Sequence, residues 1–347
     1  MMNKIINTSP NIGLKIKTLH PEDRDLWDRF GQALPTAAFM QSWAWSDFKA
    51  LEGYQVFRYG IFDRHQLVGG CLFYFYPHHG KANLLISPGG PILTADYLET
   101  GMKLLIQQAE ILGKELGAIA WRIEPQWQHK PDCLSAFVKA PVELSPSETL
   151  LIDLQPSEAQ ILQSMKQKGR YNLRLSWRAG VTVEFTTDSQ AIPKFYELFW
   201  ETVKQQEFFG EPYGFFINLC QTLFAAKMAE IGFARWQGKL LAAMILVYWG
   251  DRATYLYGGR SFAYPQVRAP SALHWGAIQR AKQRGCKIYD FYGFTRDPDH
   301  NYAKFSQFKS QFGGIPYTTI GAGDYFLYDQ LADTLINLLQ NLGGDRR

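Results

Sequence analysis

A chain of 347 residues exceeds the size at which one hydrophobic core stops growing, so two domains are expected. Hydrophobic residues make up 46% and charged residues 20%, the balance of a soluble globular protein able to bury a core. The net charge of +4 excludes a general coat for nucleic acid, so any anion site has to be local.

The N-terminal stretch "MMNKIINTSPNIGLKIK" has no apolar run long enough for a signal peptide, and the expected location is the cytoplasm. A strand pair follows, "VFRYGIFDRHQLVGGCLFYFY" from Val56, turning at Asp63-Arg64-His65. A third strand enters "LLISPGGPIL", Leu84 to Leu93. After it come the amphipathic helix "YLETGMKLLIQQAEILGKELG" and the buried strand "AIAWRIEP". The Pro- and Ser-rich "PVELSPSETLLIDL", Pro141 to Leu154, reads as a linker running into a fresh strand.

The same order then recurs. "GFARWQGKLLAAMILVYW" from Gly232 is a hairpin turning at Gln237-Gly238, followed by the strand "ATYLYGGRSF", the helix "SALHWGAIQRAKQRG" and the strand "KIYDFYGF". Its run "LLAAMILVYW" is about half a membrane span and reads as a buried strand. A last helix, "YDQLADTLINLLQNLG", carries an apolar stripe that has to pack on something. The fold class expected is α/β (α+β): two tandem GNAT-like acyltransferase domains, each a mixed sheet flanked by helices. Residues 1–148 form the first domain, completed by a C-terminal helix over 318–347, and residues 149–317 form the second.

The four cysteines, Cys71, Cys133, Cys220 and Cys286, are far apart and without metal-type spacing, so buried thiols and no metal are expected. GNAT enzymes hold the pyrophosphate of an acyl-CoA with a Gly-rich loop that opens the main helix. The corresponding segment here, "YPQVRAPSAL" from Tyr264 to Leu273, has no glycine, and Pro270 removes an amide. No cofactor is therefore expected.

Two charged features stand out. In "MKQKGRYNLRLSWRAGVTVE", Lys166, Arg170, Arg174 and Arg178 recur every four residues, and Lys168 adds another cation. Such a stripe is either a solvated face or a grip for phosphates. In "FSQFKSQFGG", Phe305, Phe308 and Phe312 fall on one helical face with Lys309 beside them. An ammonium there either snorkels its stem over the core or acts from a site of reduced dielectric.

The basic segment, together with "FMQSWAWSDFK", "ATYLYGGRS" and "YDFYGFTRDPDHNYAKFSQFKSQFGG", resembles the FemABX family in order along nearly the whole chain. The resemblance implies two GNAT-like domains and transfer of an amino acid from aminoacyl-tRNA to the stem peptide of a peptidoglycan precursor, lipid-linked or UDP-linked. It makes Lys309 the catalytic residue of the "FK" pair, with Phe308 beside it. Tyr255 and Tyr257, which alternate in "TYLYGG" and so are expected on one sheet face, become precursor-binding residues. Lys49 of "WSDFK" becomes a contact for the precursor's phosphates, and the stripe becomes substrate-binding. Glu211 stands where FemX-type members carry a basic residue, which disfavours a diphosphate bound in that manner. The expected protein is a monomer, active in the cytoplasm or at the inner face of the membrane. Two other readings stay open: an N-acyltransferase using acyl-CoA or a carrier-bound acyl group, and an inactive relative that binds precursor.

Overall fold

The computed structural model describes residues 13–77, 83–207, 209–300 and 302–328. Its strands form two sheets. The first has the order Leu14–Thr18, Gln55–Asp63, Gln66–Phe75, Asn83–Pro88, Ala118–Glu124, Gly323–Phe326, Val138–Lys139, with Ile92–Leu93 beside the third strand. The second has the order Ile315–Thr318, Glu148–Asp153, Ile288–Asp290, Arg252–Arg260, Lys239–Trp249, Ala229–Trp236, Thr182–Thr186.

The repeat is one of connectivity. In each sheet an antiparallel hairpin is followed by a strand and then, across one helix, by a parallel strand. The crossover helix is Leu98–Leu116 in the first half and Ala269–Gln283 in the second. Each half also places two helices between its hairpin and the strand before them: Arg24–Ala33 with Trp43–Leu51 after Leu14–Thr18, and Ile192–Gln206 with Tyr213–Ala225 after Thr182–Thr186. Local chemistry sets these elements. Gln237 and Gly238 both adopt positive φ, the twist that suits a tight hairpin turn. Gly117, left-handed at φ +67°, stops the first crossover helix. Two tandem GNAT-like domains with mixed sheets are thus the architecture, as the order of sequence elements implies.

The halves share a core. Trp27, Phe48, Phe195, Phe216 and Ile245 belong to one buried cluster, and the rings of Phe48 and Phe215 meet at 5.1 Å where helix Trp43–Leu51 packs on Tyr213–Ala225. The two halves are therefore held together by packed side chains.

One expected element differs. The sequence reading places a helix over 318–347, but Gly323–Phe326 is a strand that pairs antiparallel with Ala118–Glu124. The reason is long-range. Asp324 accepts two 2.7 Å hydrogen bonds from the buried guanidinium of Arg122, which draws the segment into the first sheet. Residues 329–347, where most of that helix would lie, are outside the described residues.

Candidate functional site

The parallel pair of the second sheet is short. Arg252, Ala253 and Thr254 align with Ile288, Tyr289 and Asp290, and beyond them the strands part. A cavity of about 490 Å³ lies past that point, lined by Tyr255, Gly258, Leu273, His274, Phe305 and Phe308 among others. Lys168, Arg260, Arg268 and Lys304 also belong to its lining, so its walls are apolar inside and basic in part.

Lys309 ends the helix Ala303–Lys309, and the chain continues as a 3₁₀ turn over Ser310–Phe312. Ser306, Lys309 and Phe312 are buried while Phe305 and Phe308 are partly covered, so the buried face is not purely aromatic. The ammonium donates to the carbonyl oxygens of Tyr292 at 2.6 Å and Gly293 at 2.5 Å. Those two residues are consecutive and left-handed, at φ +46° and +75°, a costly turn for a tyrosine. Burial pulls the Lys309 pKa down to about 7, against the opposing pull of the Asp290 carboxylate. Lys309 therefore does not snorkel. It is a buried donor, and its removal orphans two carbonyls.

Lys309 is adjacent to the cavity wall. Its Nζ lies 5.7 Å from the centroid of Tyr255, which does line the cavity. On its other side, Tyr292 meets Phe39 of the first half at a ring distance of 6.2 Å. Glu124, at the end of Ala118–Glu124, raises the Tyr292 hydroxyl pKa further after burial has done so. The Glu124 carboxyl accepts hydrogen bonds from Ser145 and Leu144, and burial raises its pKa. The ammonium thus stands between a cavity of the second half and the inner end of a strand of the first.

Sequence reasoning missed His274. It lies in the crossover helix, 4% exposed, with Nδ1 2.8 Å from the Tyr289 hydroxyl and its ring packed on Tyr255 at 4.6 Å. Burial, and then the charge of Lys309, lower its pKa to about 3, so the imidazole is neutral at ordinary pH. A lone histidine in an amphipathic helix gives no warning of this; only its neighbours do. Glu124 was equally silent in "RIEP".

Tyr255 and Tyr257 do not share a face. The register passes from Ile245↔Tyr257 to Leu246↔Tyr255, so Leu256 is a bulge residue and the alternation shifts by one. Tyr255 lines the cavity and burial pushes its hydroxyl up to about 12. Tyr257 points to the opposite side, against Phe199, Phe215 and Phe216 in the core shared by the two halves.

Lys49 is half-buried rather than a plain surface lysine, with its ammonium 4.1 Å from the Tyr54 ring centroid. Burial lowers its pKa, and Glu52 and Glu211 oppose the shift. Glu211 is half-buried too, raised by burial and held down by Lys49. The two come from different halves and each feels the other's charge.

The basic stripe is interrupted. Helix Gln167–Ala179 follows Lys166, its N-cap, and buries Gly169, Asn172, Leu173 and Ser176. Arg170 turns back to donate to the carbonyls of Met165 and Gln163. It clasps its own helix start through one guanidinium nitrogen. Lys166, Lys168, Arg174 and Arg178 remain exposed, and none of them forms an ion pair among the described residues.

Among the described residues no cluster of three His, Cys, Asp or Glu stands ready to hold a metal ion, and no helix is long and apolar enough to cross a membrane. At the start of the crossover helix, the amides of Val267, Arg268 and Ser271 donate to the chain's own carbonyls.

The sequence profile of the FemAB family matches residues 23–136, and that of an acetyltransferase (GNAT) domain matches residues 163–304. The chain is 20% identical to lipid II:glycine glycyltransferase of Staphylococcus saprophyticus, across 91% of this chain and 94% of that protein. It superposes on the crystal structure of FemX with a TM-score of 0.82 at 18% identity, covering 92% and 99% of the two chains. A tandem GNAT protein from the clavulanic acid biosynthesis pathway has a TM-score of 0.56 at 10% identity, covering 91% and 99%.

Proposed function

The chain belongs to the FemABX family, and from that premise we propose that it is an aminoacyltransferase of cell-wall synthesis. It moves an amino acid from the 3′ end of a charged tRNA to an amine on the stem peptide of a peptidoglycan precursor. The observation that carries the reading is Lys309, an ammonium of near-neutral pKa fixed between the cavity of the second half and the turn that meets the first half.

The aminoacyl-adenosine end of the donor occupies the cavity, whose volume suits a ligand of that size. The acceptor amine attacks the ester carbon from the side of the first half. A C–N bond forms, the C–O bond to the ribose breaks, the amine loses a proton and the ribose oxygen gains one. Two of the three N–H donors of Lys309 are held by backbone carbonyls, and the third serves the oxyanion or the departing ribose oxygen. A pKa near 7 suits a group that gives and regains a proton at ordinary pH. Phe308 and Tyr255 shape the wall against which the ester lies, and His274, neutral, adds no competing charge. The residues that do this work require neither metal nor cofactor.

Lys49 and Tyr257 form the acceptor side. Because Glu211 offsets the charge of Lys49, a precursor diphosphate finds no net cation there, which favours an acceptor gripped by its peptide and linked to lipid. The protein works as a monomer at the inner face of the cytoplasmic membrane. The internal pairing of amides at the start of the crossover helix speaks against an acyl-CoA donor.

The test is incubation with total charged tRNA and either lipid-linked or UDP-linked muropeptide, read by mass spectrometry. The expected product is a muropeptide heavier by one aminoacyl residue. No product from any charged tRNA, with turnover of acetyl-CoA instead, overturns the reading.

A further inference from the structure

Resting on the charged-tRNA reading, we propose that the exposed face of helix Gln167–Ala179 is the track along which the donor RNA leaves the cavity. The face is both basic and aromatic. Lys166, Lys168, Arg174 and Arg178 are exposed, and between them stand Tyr171, 56% exposed, and Trp177, 45% exposed. Tyr171, Arg174 and Arg178 follow at i, i+3 and i+7, one line on a helix, with Trp177 at its shoulder. Large aromatic rings left in water among unpaired cations match what single-stranded nucleic acid requires: cations for phosphates and flat faces for bases.

The helix is also bolted to the reaction centre. Asn172 donates to the Gln311 side chain at 2.8 Å, and the Lys166 amide donates to the Gln311 carbonyl at 3.1 Å. Gln311 is two residues beyond Lys309. Gly169 lets the helix seat this closely, since a Cβ there would strike the Gln311 backbone. Lys168, on the inward shoulder of the face, lines the cavity itself. From Lys168 to Arg178 the axis runs about 15 Å, so a chain emerging from the cavity meets this face next. A bilayer surface also attracts lysine with tryptophan, but an interfacial helix needs an aliphatic face to insert. Here the aliphatic Leu173 is buried against the core, and beside its two rings the outward face has a single half-buried aliphatic side chain, Leu175.

Two donors separate this inference from the reading beneath it. An aminoacyl-adenosine fills only the cavity, whereas a full charged tRNA also reaches the helix. For the double variant Arg174→Ala/Arg178→Ala, and separately for Tyr171→Ala/Trp177→Ala, kcat/KM with charged tRNA is expected to fall about tenfold or more. With aminoacyl-adenosine it stays unchanged, and the melting temperature holds. Binding of uncharged tRNA, measured over a salt series, should show a slope of log Kd on log salt smaller by roughly 1.5 in the arginine variant. Equal rates with both donors, together with an unchanged salt slope, overturn the track. So does loss of binding to anionic phospholipid vesicles with tRNA binding intact. Should neither donor support transfer while tRNA binding keeps its variant-sensitive slope, the transferase reading falls and the RNA track stands.

Discussion

The two halves follow one plan and part at one place. In the first, Asn83–Pro88 and Ala118–Glu124 stay paired through six register positions, and the space beside them is filled, with Trp121 donating to Ser87 and packed on Phe73. In the second, the equivalent pair separates after three positions, and a cavity opens. The bulge at Leu256 and the left-handed turn at Tyr292-Gly293 flank that opening. A parallel pair that closes becomes core, whereas one that splays becomes a place for a ligand. The costly features, a strained tyrosine and a buried ammonium, sit where the strands part.

The comparison can be broken from either side, and the largest effect is expected in the closed half. Asp324→Ala leaves the Arg122 guanidinium buried without its carboxylate, and should cost about 3–5 kcal/mol of stability. Denaturant unfolding checks this, and turnover per folded molecule should stay close to that of the parent. In the open half, Lys309→Ala should lower the single-turnover rate about a hundredfold or more. It should also cost about 1–3 kcal/mol, because the carbonyls of Tyr292 and Gly293 lose their donor. Lys309→Arg keeps the charge but not the reach, and should rescue poorly. A normal rate in the alanine variant would refute the role assigned to Lys309.

A pH experiment sharpens the contrast, since His274 belongs to the open half alone. Its folded pKa, about 3, lies below the ordinary 6.5, so the unfolded chain binds the extra proton between those values. Stability contributed by the neutral ring is complete above pH 6.5 and is lost as pH falls toward 3. At pH 5 the loss should be roughly 2 kcal/mol, and His274→Phe should flatten it. Urea unfolding at pH 7 and pH 5 for both proteins is the measurement. Lys309 gives the same sign at higher pH. Its folded pKa, about 7, lies below the ordinary 10.5, so relative to Lys309→Met stability should rise between pH 7 and pH 9.

The smallest effect belongs where the halves meet. Glu211→Gln removes a charge that offsets Lys49 from the other half, and binding of a UDP-linked precursor should tighten about threefold. Calorimetric titration decides it. Unchanged or weaker binding would place the diphosphate away from Lys49.

Much of this molecule was legible before folding was considered. The hairpins announce themselves through alternation and the Gln237-Gly238 turn, and the first crossover helix through its apolar period and terminal Gly117. These features depend on neighbours a few residues away, so a linear reading reaches them. Lys309 was visible as an odd charge, though the motif resemblance rather than periodicity singled it out.

What the tertiary structure alone decided lies at long range or turns on a single residue. One bulge residue, Leu256, sends Tyr255 to the cavity and Tyr257 to the shared core, and strand period cannot foresee an inserted residue. The Arg122–Asp324 pair spans 202 positions and makes a strand of a segment that reads as part of a helix. Arg170 looked free until the helix start gave it two carbonyls to hold. His274 became a neutral ring, and Lys309 a near-neutral ammonium, only when the packed chain removed water from around them. Periodicity is written in the order of residues, but desolvation and pairing across the fold exist only once distant segments meet.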